Sequence, residues 1–164
     1  MGNSLLENSK MENTSFNQVN ELEIEGHFLK TEVTPTFGDD RGYFTAINFE
    51  SGMKRAYLVR NHKAGIIRAF HGHKKEEKTL YCIKGAFKVV CISMETRDWK
   101  AFTITEKGNN FLKIPFGVYN GFVSLTDDSE LLVLSSSTFE ESKNDDFRIP
   151  YDVLGKEVWR VEHR

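Results

Sequence analysis

Cysteine and proline are both scarce, with two Cys and three Pro in 164 residues. Cys82 and Cys91 each sit inside an apolar run, which predicts buried free thiols in a reducing cytoplasm rather than a disulfide scaffold. Three prolines against thirteen phenylalanines argue against a loop-rich chain and for an aromatic-rich β core. Net charge is small, at -2, so there is no basic footprint for nucleic acid and no acidic tail. No apolar run approaches the roughly 18 residues of a membrane span. The first residues lack the basic-then-apolar profile of a secretory signal. Also missing are a convincing long amphipathic helix and a Gly-rich phosphate loop.

What is present suits one domain with a full hydrophobic core. Residues 1–20 are polar, rich in Asn and Ser, and without periodicity, which predicts a disordered tail. Met11 is a plausible natural start, with residues 1–10 a leader ahead of it. Residues 21–164 are expected to form one barrel with a C-terminal arm. YFTAINF, RAYLVRN, GIIRAFHGH, KTLYCIK, AFKVVCISM, AFTITE, FLKIPFG, YNGFVSL and ELLVLSSS are short runs rich in β-branched and aromatic residues, punctuated by Gly, Asp, Asn and charged clusters. This spacing predicts an all-β sandwich or barrel. Lys84-Gly85 reads as a tight hairpin turn. The closing segment, FRIPYDVLGKEVWRVEHR, reads as one or two helical turns or an extended arm.

The chemistry concentrates in RAFHGHKKEEK, residues 68–78. On a strand, residues two apart share a face, so His71 and His73 point together, with Ile67 and Ala69 beside them. Arg68, Phe70 and Gly72 then fall on the other face, and Phe70 there needs a covering surface. Arg68 and His71 can serve one site only if a bulge or twist intervenes. Three readings compete for the pair: a metal site, a proton-transfer site, or polar residues at a strand end. The spacing of Gly65, His71, His73, Glu77 and Gly85 resembles the first metal motif of the cupin barrels. Their second motif resembles PFGVYN, residues 115–120, with Asn120 where a histidine ligand would stand. Asparagine serves imidazole-preferring metals poorly.

Longer matches resemble a particular group, the cupin-fold enzymes of nucleotide-linked 4-keto-6-deoxy sugars. TFGDDRGYF (36–44), VRNHKAGIIRAFH (59–71), Lys78 in KTLYCIKG, and IPFGVYNGF are similar to segments of the dTDP-4-dehydrorhamnose 3,5-epimerases. RAFHGHKK, Lys54 to Tyr57, and LLVLSSS are similar to segments of the sugar 3,4-ketoisomerases. The resemblance implies a jelly-roll cupin barrel, a nucleotide-diphosphate sugar substrate, no metal, no other cofactor, and a homodimer that exchanges strands and covers Phe70. Departures accompany it. Val133 falls where the epimerases carry an acid tyrosine, and Ala69 replaces the glycine of R-G-x-H. The C-terminal L-S-x-K-D segment that supplies an aspartate to the epimerase base has no evident counterpart. The ketoisomerases have Gln at the position of Lys78.

Both branches begin by removing a proton from the carbon next to a ketone. Histidine suits that step, since its reference pKa of about 6.5 leaves much of it neutral near pH 7. By resemblance, His71 is the base at C3, His73 a proton shuttle, and Lys78 the stabiliser of the enolate oxygen. Arg41 and Arg68 are the phosphate candidates, with Tyr43, Asn61, Tyr57 and Asn120 as further substrate contacts. The leading expectation is a 3,4-ketoisomerase. A C3 or C3/C5 epimerase, a metal-dependent cupin using His71, His73 and Glu77, and a non-catalytic sugar-binding cupin are the alternatives.

Overall fold

The computed structural model describes residues 20–24, 27–33, 36–45, 51–108 and 110–161. Most of the predicted tail, residues 1–19, lies outside them, as do residues 162–164. The strands are β1 (Asn20–Ile24), β2 (His27–Val33), β3 (Thr36–Asp39), β4 (Gly42–Thr45), β5 (Arg55–Asn61), β6 (Ile67–His73), β7 (Lys78–Lys84) and β8 (Ala86–Ser93). There follow β9 (Trp99–Thr105), β10 (Asn110–Ile114), β11 (Val118–Ser124), β12 (Ser129–Ser135), helix α1 (Phe139–Lys143), β13 (Phe147–Arg148) and a 3-10 turn (Lys156–Trp159). Two antiparallel sheets face each other, ordered β1-β2-β10-β7-β12-β5 and β13-β6-β11-β8-β9, and β3–β4 form a separate hairpin. This is the all-β architecture expected from the strand spacing, in the jelly-roll form that the resemblance implied.

Burial follows position in these layers. Edge strand β5 alternates, with Arg55, Tyr57 and Val59 turned inward and Ala56, Leu58 and Arg60 exposed. That is the signature of a strand with one covered face. Strand β8 is buried along nearly its whole length. Phe87, Val89 and Cys91 enter the core between the sheets, whereas Val90 and Ile92 join a second cluster with Phe70, Tyr119, Val158 and Trp159. The chain's own C-terminal segment therefore covers the outer face of the smaller sheet. Lys88 fastens it there by donating from Nζ to the Arg160 carbonyl at 2.9 Å.

This covering corrects one expectation. Phe70 has no exposed surface, and its ring stacks 5.1 Å from Trp159 of the same chain, so no second subunit is needed over it. Within the described residues the closing segment is an arm that turns at 151–154 and again in the 3-10 turn Lys156–Trp159. Gly85 turns β7 into β8 at φ 76°, as the Lys84-Gly85 hairpin requires. Both thiols are free and buried, and burial pushes Cys82 up to about 12. Among the described residues, no helix is long and apolar enough to cross a membrane.

Candidate functional site

Strand β6 departs from strict alternation where the site needs it. Phe122 of β11 lies opposite Arg68, and Asn120 lies opposite His71, so β6 carries one extra residue in that interval. The bulge turns Arg68 to the side of His71 and His73, and all three line one cavity of about 350 Å³. Ile67, Ala69 and Phe70 go to the outer cluster. The expected company of Ile67 and Ala69 with the histidines is thereby corrected, because an extra residue resets the face of everything beyond it.

The two histidines meet different surroundings. His71 is partly open, and its Nδ1 stands 3.1 Å from Asp146 Oδ1. Asp146 also accepts from Arg148 Nε at 2.9 Å. Partial burial works against the Asp146 carboxylate, yet the hydrogen bonds from Arg148 and His71 outweigh it and hold the group below its ordinary value. The sequence did not reveal this aspartate, so the expected lack of a carboxylate partner for His71 is corrected. It comes from the segment after α1. Thr138 and Glu141 start that helix with a capping box, and β13 then pairs Phe147 with Gly72 and Arg148 with His71. Asp145, one residue earlier, accepts from the backbone amides of Lys74 and Lys75 and fixes the loop after His73.

His73 is buried, with Glu76 rather than Asp146 beside it. Burial, reinforced by the charge on Lys78, lowers its pKa, and Glu76 opposes the shift. Lys78 is also buried on the cavity wall, and burial lowers its pKa against the pull of Glu76. Leu80 adjoins it there, the partly apolar setting expected from the strand alternation. Tyr57 lines the same cavity, its phenol pushed up to about 12 first by burial and then by Glu76. It pairs across the strands with Val133, where the epimerase tyrosine was expected. A phenol thus occupies the neighbouring strand at the same level.

The remaining candidates separate. Asn120 lines the cavity, and its side-chain amide donates to the His71 carbonyl at 3.1 Å, bracing β6. Asn61 does not line the cavity. Its Oδ1 accepts from Arg68 Nε at 2.9 Å while Nδ2 donates to Ile66 and Ser124, so it orients the arginine from behind. Arg41 sits on the β3–β4 hairpin, exposed and paired with Asp39, outside the cavity wall. Tyr43 belongs to β4, but its side chain lies outside the described residues. Residues the sequence did not single out complete the wall: Phe139, Ser142 and Lys143 from α1, with Asp146 and Arg148 beyond it. Thr138-x-x-Glu141 carried a helix-start signal, but nothing local tied it to a histidine far back in the chain.

A cupin metal centre does not fit these residues. Glu77 is exposed while Glu76 is the buried carboxylate, and the Asn120 amide is committed to the His71 carbonyl. Among the described residues no three His, Cys, Asp or Glu side chains converge as a metal site.

Comparisons with known proteins agree with this architecture. The chain is 27% identical over 132 residues to the TDP-4-oxo-6-deoxy-alpha-D-glucose-3,4-oxoisomerase of Aneurinibacillus thermoaerophilus, covering 75% of this chain and 87% of that one. The crystal structure of dTDP-4-dehydrorhamnose 3,5-epimerase from Bacillus anthracis matches with a TM-score of 0.75 at 20% identity, covering 89% and 93% of the two chains. A 3,4-ketoisomerase from Thermoanaerobacterium thermosaccharolyticum, solved with TDP-4-keto-6-deoxyglucose, matches with a TM-score of 0.64 at 23% identity, covering 74% and 87%. The family model described as "FdtA: WxcM-like, C-terminal" matches residues 29–151, most of the chain, and the chain belongs to that family.

Proposed function

We propose that the protein is an isomerase of a nucleotide-linked 4-keto-6-deoxy sugar, moving the ketone from C4 to C3. The observation that supports this most is Val133, where an epimerase tyrosine was expected, on a cavity that also holds His71, His73 and Lys78. His71 removes the C3 proton, Asp146 holds its Nδ1 side, and the other ring nitrogen receives the proton. The electrons move into an enediolate whose O4 carries the charge, and Lys78 stabilises that oxygen. The C3 hydroxyl then gives up its proton and O4 gains one, an exchange assigned to His73. Return of the first proton to C4 leaves the ketone at C3. Arg68, Lys143 and Arg148 offer cations for the diphosphate at the cavity wall.

A C3 or C3/C5 epimerase is the second reading. The Asp146 partner favours it, since an aspartate behind the base is what the epimerases were expected to have. Val133 favours ketone migration, because the tyrosine expected there is absent. Incubation with dTDP-4-keto-6-deoxyglucose in deuterated water separates the two by NMR. Ketone migration moves the carbonyl signal to C3 and places any deuterium at C4 of the product, or at C3 of remaining substrate through the back reaction. Epimerisation leaves the carbonyl at C4 and inverts C3, with or without exchange at C5. Neither a new product nor exchange at any carbon would sink both.

The protein is further proposed to work as a homodimer. Leu58 and Leu132 are paired across β5 and β12 on the outer face of the larger sheet, and Leu58 and Ile83 remain exposed there. An apolar sheet face of this kind favours a second protein surface. Light scattering should give twice the chain mass, and a clean monomer at assay concentration would overturn the assembly.

A further inference from the structure

The loop joining β6 to β7 reads KKEE, and its two glutamates have opposite fates. Glu77 is exposed, whereas the Glu76 side chain has no exposed surface. Burying a carboxylate is costly unless charge and hydrogen bonds compensate it. Here the compensation comes from four strands. Ser135 of β12 donates to Oε1 at 2.6 Å, and Arg55 of β5 reaches the same oxygen at 3.3 Å. Lys78 Nζ of β7 stands 4.0 Å from Oε1, and His73 Nδ1 of β6 stands 3.2 Å from Oε2. The His73–Glu76 pair lacks hydrogen-bond alignment, and among the described residues neither atom has another hydrogen-bond partner. Each is therefore the group within reach to satisfy the other.

The cations need Glu76 as much as it needs them. Arg55 is held against the faces of Tyr57 and Phe139, and Lys78 is buried on the cavity wall nearby. Two positive charges in a poorly hydrated region repel each other, and a buried lysine readily gives up its proton. Asp146 is the other carboxylate whose field reaches both Lys78 and His73, but His71 and Arg148 already engage it.

We propose that Glu76 is a positioning residue, the counter-charge that keeps Lys78 an ammonium and the acceptor that fixes His73 with its proton on Nδ1. The Asp145 backbone competes for the His73 ring; with the proton held on Nδ1 by Glu76, Nε2 is the nitrogen left to take a hydroxyl proton. Lys78 offers positive charge to a developing oxyanion without leaving the wall. The catalytic consequence rests on the isomerase reading, but the two protonation states do not, and they can be measured without substrate.

Nitrogen-15 NMR of the protein labelled at histidine and lysine should show His73 as the Nδ1–H tautomer near pH 7.5 and Lys78 as an ammonium. Glu76→Gln should lower the Lys78 titration by about one pH unit or more and disturb the tautomer. Glu76→Asp, which keeps the charge, should largely restore both. A wild-type His73 with its proton on Nε2, a neutral Lys78 at pH 7.5, or a titration unmoved by Glu76→Gln each overturns the proposal. Should Glu76→Gln fail to fold, the wild-type spectrum decides alone. In turnover assays, Glu76→Gln should bring the alkaline limb of the rate profile to lower pH. Uniform slowing with an unchanged profile would mean a structural role only. Absent turnover in the wild type, with the spectra as expected, would count against the isomerase reading and leave the Glu76 assignment standing.

Discussion

His71 and His73 lie two residues apart on one strand, line one cavity, and have little else in common. His71 is partly open and backed by Asp146, which Arg148 steadies in turn. His73 is buried, beside a lysine that discourages its protonation and a glutamate that favours it. The first arrangement supports a ring that takes a proton from carbon and holds it, because the carboxylate behind it stabilises the imidazolium. The second keeps a ring neutral and suits exchange between oxygens. Identical side chains therefore meet different electrostatic settings through what lies behind them. In both cases that backing comes from elsewhere in the chain: Asp146 from beyond α1, and Glu76 from the loop into β7.

The sharpest way to break the comparison is to remove the open ring. His71→Asn should cut deuterium incorporation into the sugar by about 10² to 10⁴, the usual range for a general base. Unchanged exchange would move the base elsewhere, with His73 the obvious candidate. Asp146→Asn should cost less, about 10- to 100-fold in turnover, corresponding to one hydrogen bond to a charged group. It should also alter acid stability. The folded-state value of Asp146 is depressed, so its contribution is complete above the unfolded value near 3.9 and disappears as pH falls through the folded value. Chemical denaturation at pH 3 and pH 6 should therefore show a smaller difference in Asp146→Asn than in the wild type.

The buried ring gives a second pH signature in another window. His73 titrates lower in the folded state than its unfolded value of about 6.5. Below that value the unfolded chain accepts a proton that the folded chain refuses, so stability declines as pH falls from about 6.5. His73→Gln should flatten this slope while leaving the acid limb of Asp146 in place. Equal slopes in wild type and variant would show that His73 is not held neutral.

How much of this was legible depends on how local each signal is. Strands β5 to β12 were readable because alternation, β-branched runs and the turn at Gly85 are properties of neighbouring residues. The bulge in β6 could be anticipated from chemistry, since Arg68 and His71 could not otherwise share a site. The choice between Glu76 and Glu77 was not readable, because two adjacent acids in a polar loop look alike until the chain closes over one of them. Nor was Asp146, whose position depends on β13 pairing with β6 across 75 residues. Phe70 looked exposed for the same reason, as its cover comes from Trp159.

Gly72, between the two histidines, tests whether their different settings depend on the backbone that spaces them. A Cβ at this position would lie 2.4 Å from Cδ1 of Tyr119, inside the packed outer cluster. The ring cannot easily yield, because Phe70, Val90 and Ile92 share that cluster and the Arg97 guanidinium lies 5.4 Å from its centre. Gly72→Ala should therefore cost about 1–3 kcal/mol through overpacking, visible as a lower midpoint in urea. Adding Tyr119→Ala should relieve the clash, so the double variant should lose less than the sum of the two single losses. His71, anchored to Asp146, should keep its exchange activity in Gly72→Ala better than His73 keeps its pH signature. Equal loss of both would mean that strand spacing, rather than the separate carboxylates, sets the two histidines apart.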